Sequence, residues 1–269
     1  MKHLFIFFFL FIVKTTLAQS YVFHGTWEDG DRSAGGKLNQ NFPGLCCTNW
    51  CMQVTSYQAR LGNNSIESIV NSDDPDCGGS TRCESLVSRR DSSIKNMYYA
   101  ASIYPVGFTP DQRNGLCMQW YVTGAYPVLG LWIKADPTNT YNYLQIIRQF
   151  DTANAVGLTA KNYVTILDTL PSDRWTDLAF EINWQNNYTG YIKVYINGRL
   201  YTTINGANMK AQFDPEHPRW PTYRFGWYWF GAHHKKTPLS QKRILFDEVK
   251  VGNSDMTIDS FLLPPLVYR

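Results

Sequence analysis

Hydrophobic and polar positions alternate along most of this chain in short runs. The runs are rich in aromatic and β-branched residues, and their period of two is typical of strands that face a core on one side. They cover residues 97–106, 116–122, 128–135, 140–150, 176–184, 190–198 and 243–252 and a segment that begins at 222. Turn residues separate the runs, Asn197–Gly198 indicates a two-residue hairpin, and no long window keeps a helical period. The pattern predicts an all-β fold, a jelly-roll sandwich of two antiparallel sheets.

Residues 1–18 differ from the rest of the chain. Lys2 and His3 precede an unbroken apolar run from Leu4 to Val13, and small residues suited to cleavage follow. The run is too short to span a bilayer as a helix. We therefore predict a signal peptide over residues 1–18, a secreted protein without a membrane partner, and a single jelly-roll domain over residues 19–269 that acts as a monomer.

The net charge of the chain limits the classes of partner that it is expected to bind. The 269 residues carry a formal net charge of +3. Loss of Lys2 and Lys14 with the signal peptide lowers this value by two to +1, because no acidic residue precedes residue 19. A near-neutral protein is not expected to bind nucleic acid through a basic surface, although a local basic cleft remains compatible with this charge.

Six cysteines follow the predicted signal peptide, all before residue 118. In an exported chain an even number of cysteines indicates disulfides, and the sequence leaves their pairing open. A zinc site is the alternative, but no two pairs have the matching two-residue spacing. We expect the whole set to be oxidised: Cys46, Cys47, Cys51, Cys77, Cys83 and Cys117.

The segment TYRFGWYWFGAHHKK, residues 222–236, is the first candidate for a functional site. In a strand, side chains point alternately to two faces. One face then carries Arg224, Gly226 and Tyr228, which are a cation, a gap with room for a ligand, and a phenol. The other face carries the aromatic residues Tyr223, Phe225, Trp227 and Trp229.

Three further strands carry polar and aromatic side chains that we expect to line the same groove. These side chains are Gln119 and Tyr121, then Tyr141, Tyr143 and Gln145, then Tyr191, Lys193 and Tyr195. Together they offer stacking platforms, amide donors and cations, which sugar rings with carboxylates require. The alternative is a set of half-buried sheet residues without a ligand.

Several motifs occur in a particular order along residues 80–252. RCE at 82–84 is similar to an Arg-x-Glu strand, and CMQWYV at 117–122 lies where a Gln-Trp-His motif would stand. MYYAASIYPVGFTPD, DRWTDLAFEINW, GYIKVYINGRL and TYRFGWYW complete the set, and the last is similar to Tyr-Phe-Lys-Phe-Gly-x-Tyr. This order resembles the polysaccharide lyases of the heparin lyase I and glucuronan lyase kind, and more distantly the jelly-roll alginate lyases. The resemblance implies a concanavalin-like jelly roll.

The resemblance also implies β-elimination on an acidic, uronate-containing polysaccharide. A base removes the proton beside the carboxylate, an acid protonates the leaving glycosidic oxygen, and the carboxylate is neutralised. By resemblance Tyr228 is the acid and a candidate base, with Arg224 beside it and Gln119 bonded to the carboxylate. A tyrosine in water has a pKa of about 10, so a tyrosine base needs nearby cations near neutrality. Arg82 and Glu84 are predicted to bind substrate.

One position departs from the family's pattern, because Tyr121 stands where many members carry a catalytic histidine. Three alternatives follow. Tyr228 acts as both base and acid, or another histidine replaces the missing one, or the chain is a carbohydrate-binding or structural extracellular protein that does not cut its ligand. The candidate histidines are His24, His217, His233 and His234, of which the last two are also predicted to bind substrate.

Acidic residues near both ends of the predicted domain suggest a structural calcium ion. TWEDGD at 26–31 and LFDEVKV at 245–251 look like the first and last strands of lectin-like sandwiches, where Glu28, Asp31 and Asp247 would supply oxygen ligands. The alternative is that these acids lie in solvated turns. A glycoside hydrolase is disfavoured, because no strand carries acids spaced to flank a glycosidic bond from one face. No organic cofactor is expected.

Overall fold

Strands dominate the structure, a computed structural model that describes residues 21–32, 38–39, 51–71, 73–75, 80–87, 95–110, 115–122, 127–152, 155–209, 221–230 and 241–266. The strands of these residues are β1 (Phe23–Gly25), β2 (Leu38–Asn39), β3 (Met52–Thr55), β4 (Ser65–Asn71), β5 (Ser80–Val87), β6 (Asn96–Val106), β7 (Gly115–Tyr121), β8 (Leu129–Ala135), β9 (Asn142–Thr152), β10 (Ala155–Leu170), β11 (Thr176–Asn183), β12 (Tyr191–Ile196), β13 (Arg199–Asn205), β14 (Thr222–Phe230) and β15 (Gln241–Asn253). A 3₁₀ turn, η1, covers Ile258–Ser260. Within these ranges no helix has the length and hydrophobicity needed to cross a membrane.

The strands pair into two antiparallel sheets. Sheet A has the order β13-β12-β11-β6-β15-β4-β3, with β1 paired to β15, and sheet B has the order β10-β9-β8-β7-β14-β5-β2. The predicted all-β sandwich is therefore confirmed. In sheet B the candidate strand β14 lies between β5 and β7, which are both far from it in sequence.

The core lies between the two sheets and is built from alternating positions of each strand. On β14, Tyr223, Phe225 and Trp227 are almost fully buried, as the alternation predicts. Tyr99 of sheet A has its ring centroid 5.3 Å from that of Tyr223, and Phe246 lies 5.2 Å from Phe225. Burial of such a side chain contributes on the order of 2 kcal/mol. This packing fixes which face of β14 points outward.

The predicted hairpin at residues 197 and 198 is present and joins β12 to β13. Asn197 and Gly198 have φ angles of 49° and 79°, the left-handed conformation that a tight hairpin turn requires. Both strands belong to sheet A. The expectation that Lys193 and Tyr195 face the same groove as Tyr228 is therefore wrong, because alternation predicts a residue's face but not its sheet. Lys193 instead pairs with Glu181, with 3.0 Å between Nζ and Oε1.

A disulfide between Cys51 and Cys83 links the two sheets through the core. Cys51 directly precedes β3 of sheet A, and Cys83 lies on β5 of sheet B. Both residues are at most 1% exposed. The bond therefore ties β5 to the opposite sheet at the residue between Arg82 and Glu84.

Cys117 is a free thiol in the core, so the prediction that all six cysteines are oxidised is wrong. Its Sγ lies 3.5 Å from the carbonyl oxygen of Leu131. Burial raises the pKa of this thiol, and it behaves as a small apolar side chain. Cys46, Cys47 and Cys77 lie outside the described residues.

Candidate active site

The register of β14 brings six of the predicted site residues together on the outer face of sheet B. Arg224 pairs with Gln119 of β7, and Thr222 pairs with Tyr121. On the other side, Gly226 pairs with Glu84 of β5 and Tyr228 with Arg82. Residues paired across antiparallel strands point to the same face. The resulting cluster, called the β14 cluster below, consists of Arg82, Glu84, Gln119, Tyr121, Arg224 and Tyr228.

Gly226 is required by the backbone of β14. Its φ of +131° is a conformation that only glycine adopts without strain. A Cβ at this position would lie 2.1 Å from the carbonyl oxygen of Cys83 on β5. The pairing of β14 with β7 also shifts register between Phe225 and Tyr228, as in a β-bulge. The missing side chain at Gly226 therefore allows the backbone of β5 to approach closely, a role that the sequence did not predict.

Tyr228 is the half-buried member at one end of the cluster. The guanidinium carbon of Arg82 lies 4.3 Å from the centroid of the Tyr228 ring. One terminal nitrogen of Arg82, Nη2, lies 3.5 Å from the phenol oxygen. The guanidinium of Arg82 therefore stacks on the Tyr228 ring and also reaches its hydroxyl group.

Arg224 is a buried cation, only 6% exposed. Its guanidinium carbon lies 4.0 Å from the centroid of the Tyr121 ring, so Tyr121 covers one face of the group. Burial lowers the pKa of Arg224, and the nearby Glu84 and Tyr121 act in the opposite direction. Because an arginine titrates far above neutrality, Arg224 remains charged.

Glu84 lies at the bottom of the cluster and is 1% exposed. It accepts a hydrogen bond from Nε2 of Gln119. Burial raises the pKa of Glu84, whereas Arg224, the Gln119 hydrogen bond and Arg82 lower it to a smaller extent. The carboxyl group is too deep to contact a sugar, which corrects its predicted role in substrate binding. It is placed to orient Gln119 and Arg224.

Other predicted site residues lie away from this cluster. Tyr143 and Gln145 are on β9, on the outer face of sheet B but three strands from β14, or about 14 Å at the usual strand spacing. His24 is on β1 of sheet A, where its Nε2 lies 3.0 Å from Oε2 of Glu248, so it does not replace the missing histidine. His217, His233 and His234 lie outside the described residues.

Two of the three residues predicted to bind calcium, Glu28 and Asp247, accept hydrogen bonds from backbone N–H groups. The carboxylate of Asp247 accepts the backbone N–H groups of Arg60, Leu61 and Glu248. The carboxylate of Glu28 accepts those of Asn63 and Asn64. Among the described residues, no three His, Cys, Asp or Glu side chains are grouped to hold a metal ion. These two acids, like capping residues, hold the segment 60–64.

Comparison with known proteins agrees with this all-β fold. Residues 26–250 match the profile of the polysaccharide lyase family. The match covers most of the chain, so the chain belongs to this family and is a polysaccharide lyase. No curated protein sequence matches it.

Solved structures of lyases share the fold. An endo-β-1,4-glucuronan lyase from the fungus Trichoderma reesei has a TM-score of 0.66 and 15% identity, over 87% of this chain and 96% of that one. An alginate lyase from Pseudomonas aeruginosa has a TM-score of 0.52 and 16% identity, over 74% and 87%. An alginate lyase from Klebsiella pneumoniae has a TM-score of 0.58 and 8% identity, over 86% and 99%. At such identities the likeness supports a common fold alone.

Proposed function

We propose that this polysaccharide lyase is secreted and cleaves a uronate-containing polysaccharide by β-elimination at the β14 cluster. The observation that carries the proposal is the convergence of Arg82, Arg224 and Gln119 around Tyr228 on one sheet face. Two guanidinium groups lie in this cluster beside one carboxyl group, and guanidinium groups are suited to bind a uronate carboxylate. Glucuronan and alginate, named for two structural neighbours, are both polymers of uronates.

Tyr228 carries the proton in this proposal. As a phenolate, it takes the proton from the carbon beside the carboxylate. The electron pair of that C–H bond forms the new C=C bond while the neighbouring bond to the glycosidic oxygen breaks, and the oxygen leaves with the proton that Tyr228 returns. Arg224, which is more exposed than Gln119 beside it, stabilises the charge that develops on the carboxylate. Tyr121 stands at the position of the family's histidine but does not act as a base. Its ring stacks on the Arg224 guanidinium and fixes the position of that group.

Secretion is supported by the basic start and apolar run of residues 1–18 and by the buried Cys51–Cys83 disulfide. Disulfides persist in oxidising compartments and are rare in the cytosol. Recovery of a chain that lacks residues 1–18 from the culture medium would support this part, and retention of the full chain inside the cell would contradict it.

The test of substrate class uses glucuronan, alginate, a glycosaminoglycan and neutral cellulose as probes. We expect at least one uronan to give an unsaturated product that absorbs in the ultraviolet, and cellulose to give none. A folded protein that yields no unsaturated product from any uronan would contradict the proposal.

A further inference from the structure

A second group of aromatic and cationic side chains lies on the outer face of sheet B, away from the β14 cluster. Lys134 of β8 has its Nζ 5.7 Å from the ring centroid of Trp132 and 5.5 Å from that of Tyr163 on β10. Both distances are within the range of cation–π contacts. Tyr163 is 53% exposed, and Trp132 and Lys134 are half-buried.

Strand pairing connects this group to the β14 cluster in a continuous row. Tyr228 pairs with Leu116 of β7, Leu116 pairs with Trp132, and Trp132 pairs with Gln145 of β9. At a strand spacing of about 4.8 Å, Trp132 lies about 10 Å from Tyr228. A polymer that crosses the strands at Tyr228 therefore passes onto Trp132.

The residues between the two groups are apolar. Leu116 is only 2% exposed. Gly130 adjoins it, and a Cβ on Gly130 would lie 2.6 Å from Leu116 Cδ2 and 3.4 Å from Trp132 Nε1. These two residues place no polar or charged side chain between the two groups.

The chemistry of the group suits an acidic sugar. Aromatic rings stack on the apolar faces of sugars, and an ammonium group pairs with a carboxylate. Within the described part of the chain, Lys134 forms no ion pair with a carboxylate. Burial lowers the pKa of Lys134, because its charge is partly desolvated without a compensating anion.

We propose that Trp132, Lys134 and Tyr163 form a distal subsite that binds the carboxylate and ring of a second uronate in the same polysaccharide chain. The inference rests on the proposed uronate substrate and extends it. It assigns binding energy to a sugar remote from the bond that breaks, so the enzyme should favour long chains over short ones.

The test compares Lys134→Met with wild type on glucuronan and alginate oligomers from disaccharide to hexasaccharide. We expect KM for the longest cleaved oligomer to rise about tenfold, which corresponds to about 1.4 kcal/mol, because an ion pair to the second uronate is lost. The kcat and the KM of the shortest cleaved oligomer should stay unchanged. Tyr163→Ala, which changes an exposed ring and leaves the core intact, should act in the same way. Lys193→Met makes the same substitution on sheet A and should leave kcat and KM for all oligomers unchanged.

Binding of the same oligomers to Tyr228→Phe protein, with and without Lys134→Met, is also measured by calorimetric titration. Equal affinities of these two proteins for the hexasaccharide would overturn the subsite while leaving the proposed function intact. An equal loss for long and short oligomers would also overturn it. Absence of unsaturated product from wild type would instead contradict the proposed function, and the titration would still decide whether Lys134 binds a distant uronate.

Discussion

Tyr228 is the residue on which the proposed chemistry depends. Tyr228→Phe keeps the ring that stacks against Arg82 and removes only the hydroxyl group. A positioned acid or base is worth about 100- to 10,000-fold in rate, so kcat should fall by that range while the melting temperature stays close to that of wild type. Initial rates of unsaturated product formation, with calorimetry on the same preparation, provide the measurement.

The matched control for this change is Tyr195→Phe. Tyr195 lies on β12 of sheet A, so loss of its hydroxyl group should leave kcat unchanged. Near-normal turnover by a folded Tyr228→Phe protein would show that another group carries the proton.

Replacement of Glu84 distinguishes a role in orienting Gln119 and Arg224 from a role in folding. Glu84→Gln keeps the side-chain shape but removes the charge that faces Gln119 and Arg224. We expect kcat to fall about tenfold because the Gln119 amide loses its charged acceptor. The acid limb of the pH–rate profile should also move toward lower pH, because a negative charge near the catalytic base disfavours its ionised form.

The shift of the pH profile is the informative readout, since a general loss of folded protein would lower kcat without moving it. Glu181→Gln on sheet A removes a similar carboxylate and should leave both quantities unchanged. An unaltered profile in Glu84→Gln would contradict the positioning role.

At the scale of the strand, alternation was readable from the sequence. The face of β14 that carries Tyr223, Phe225 and Trp227 is wholly aromatic and buried, so Arg224 and Tyr228 could be assigned to the opposite face without a structure. Nothing local, however, indicates which strands lie beside β14. The family resemblance grouped residues of the β14 cluster by role, whereas the strands beside β14 and their register with it follow only from the folded sheet.

Two strands with the same pattern show the limit of sequence reasoning. Lys193 and Lys134 each lie in a strand where apolar residues alternate with aromatic or cationic ones. The strand of Lys193 nevertheless belongs to sheet A and that of Lys134 to sheet B. Alternation in LGLWIKA puts Trp132 and Lys134 on one face, although neither residue was predicted to bind a ligand. Their link to Tyr228 depends on pairing through Leu116, which involves residues distant in sequence.

At the scale of the whole molecule, one buried and one exposed carboxylate, those of Asp247 and Glu28, hold the segment 60–64 against the sandwich. Asp247 is fully buried on β15 and accepts backbone N–H groups of Arg60 and Leu61 at 2.8 and 3.1 Å. Glu28 holds Asn63 from the other end of the domain. No sequence pattern indicates that a carboxylate will accept hydrogen bonds from backbone N–H groups so distant in the chain.

Asp247 should make the stability of the fold depend on pH. Burial, the largest effect, raises the pKa of Asp247 to about 7, although three backbone N–H groups lower it. An unfolded aspartate titrates near about 4, so between these values the folded state binds more protons than the unfolded state. The contribution of this group is fully present below about pH 4 and is lost as pH rises through about 7.

The unfolding free energy of wild type should therefore lose a contribution on the order of a few kcal/mol as pH rises over this range, and the melting temperature should fall with it. Asp247→Asn does not titrate, so its melting temperature should vary less with pH there, even if the loss of an acceptor oxygen lowers it overall. Asp255→Asn, at an exposed turn, should follow wild type. Calorimetric scans across the range decide the matter: parallel curves for wild type and Asp247→Asn would mean that the backbone donors keep the carboxylate ionised in the fold and that burial is the weaker effect.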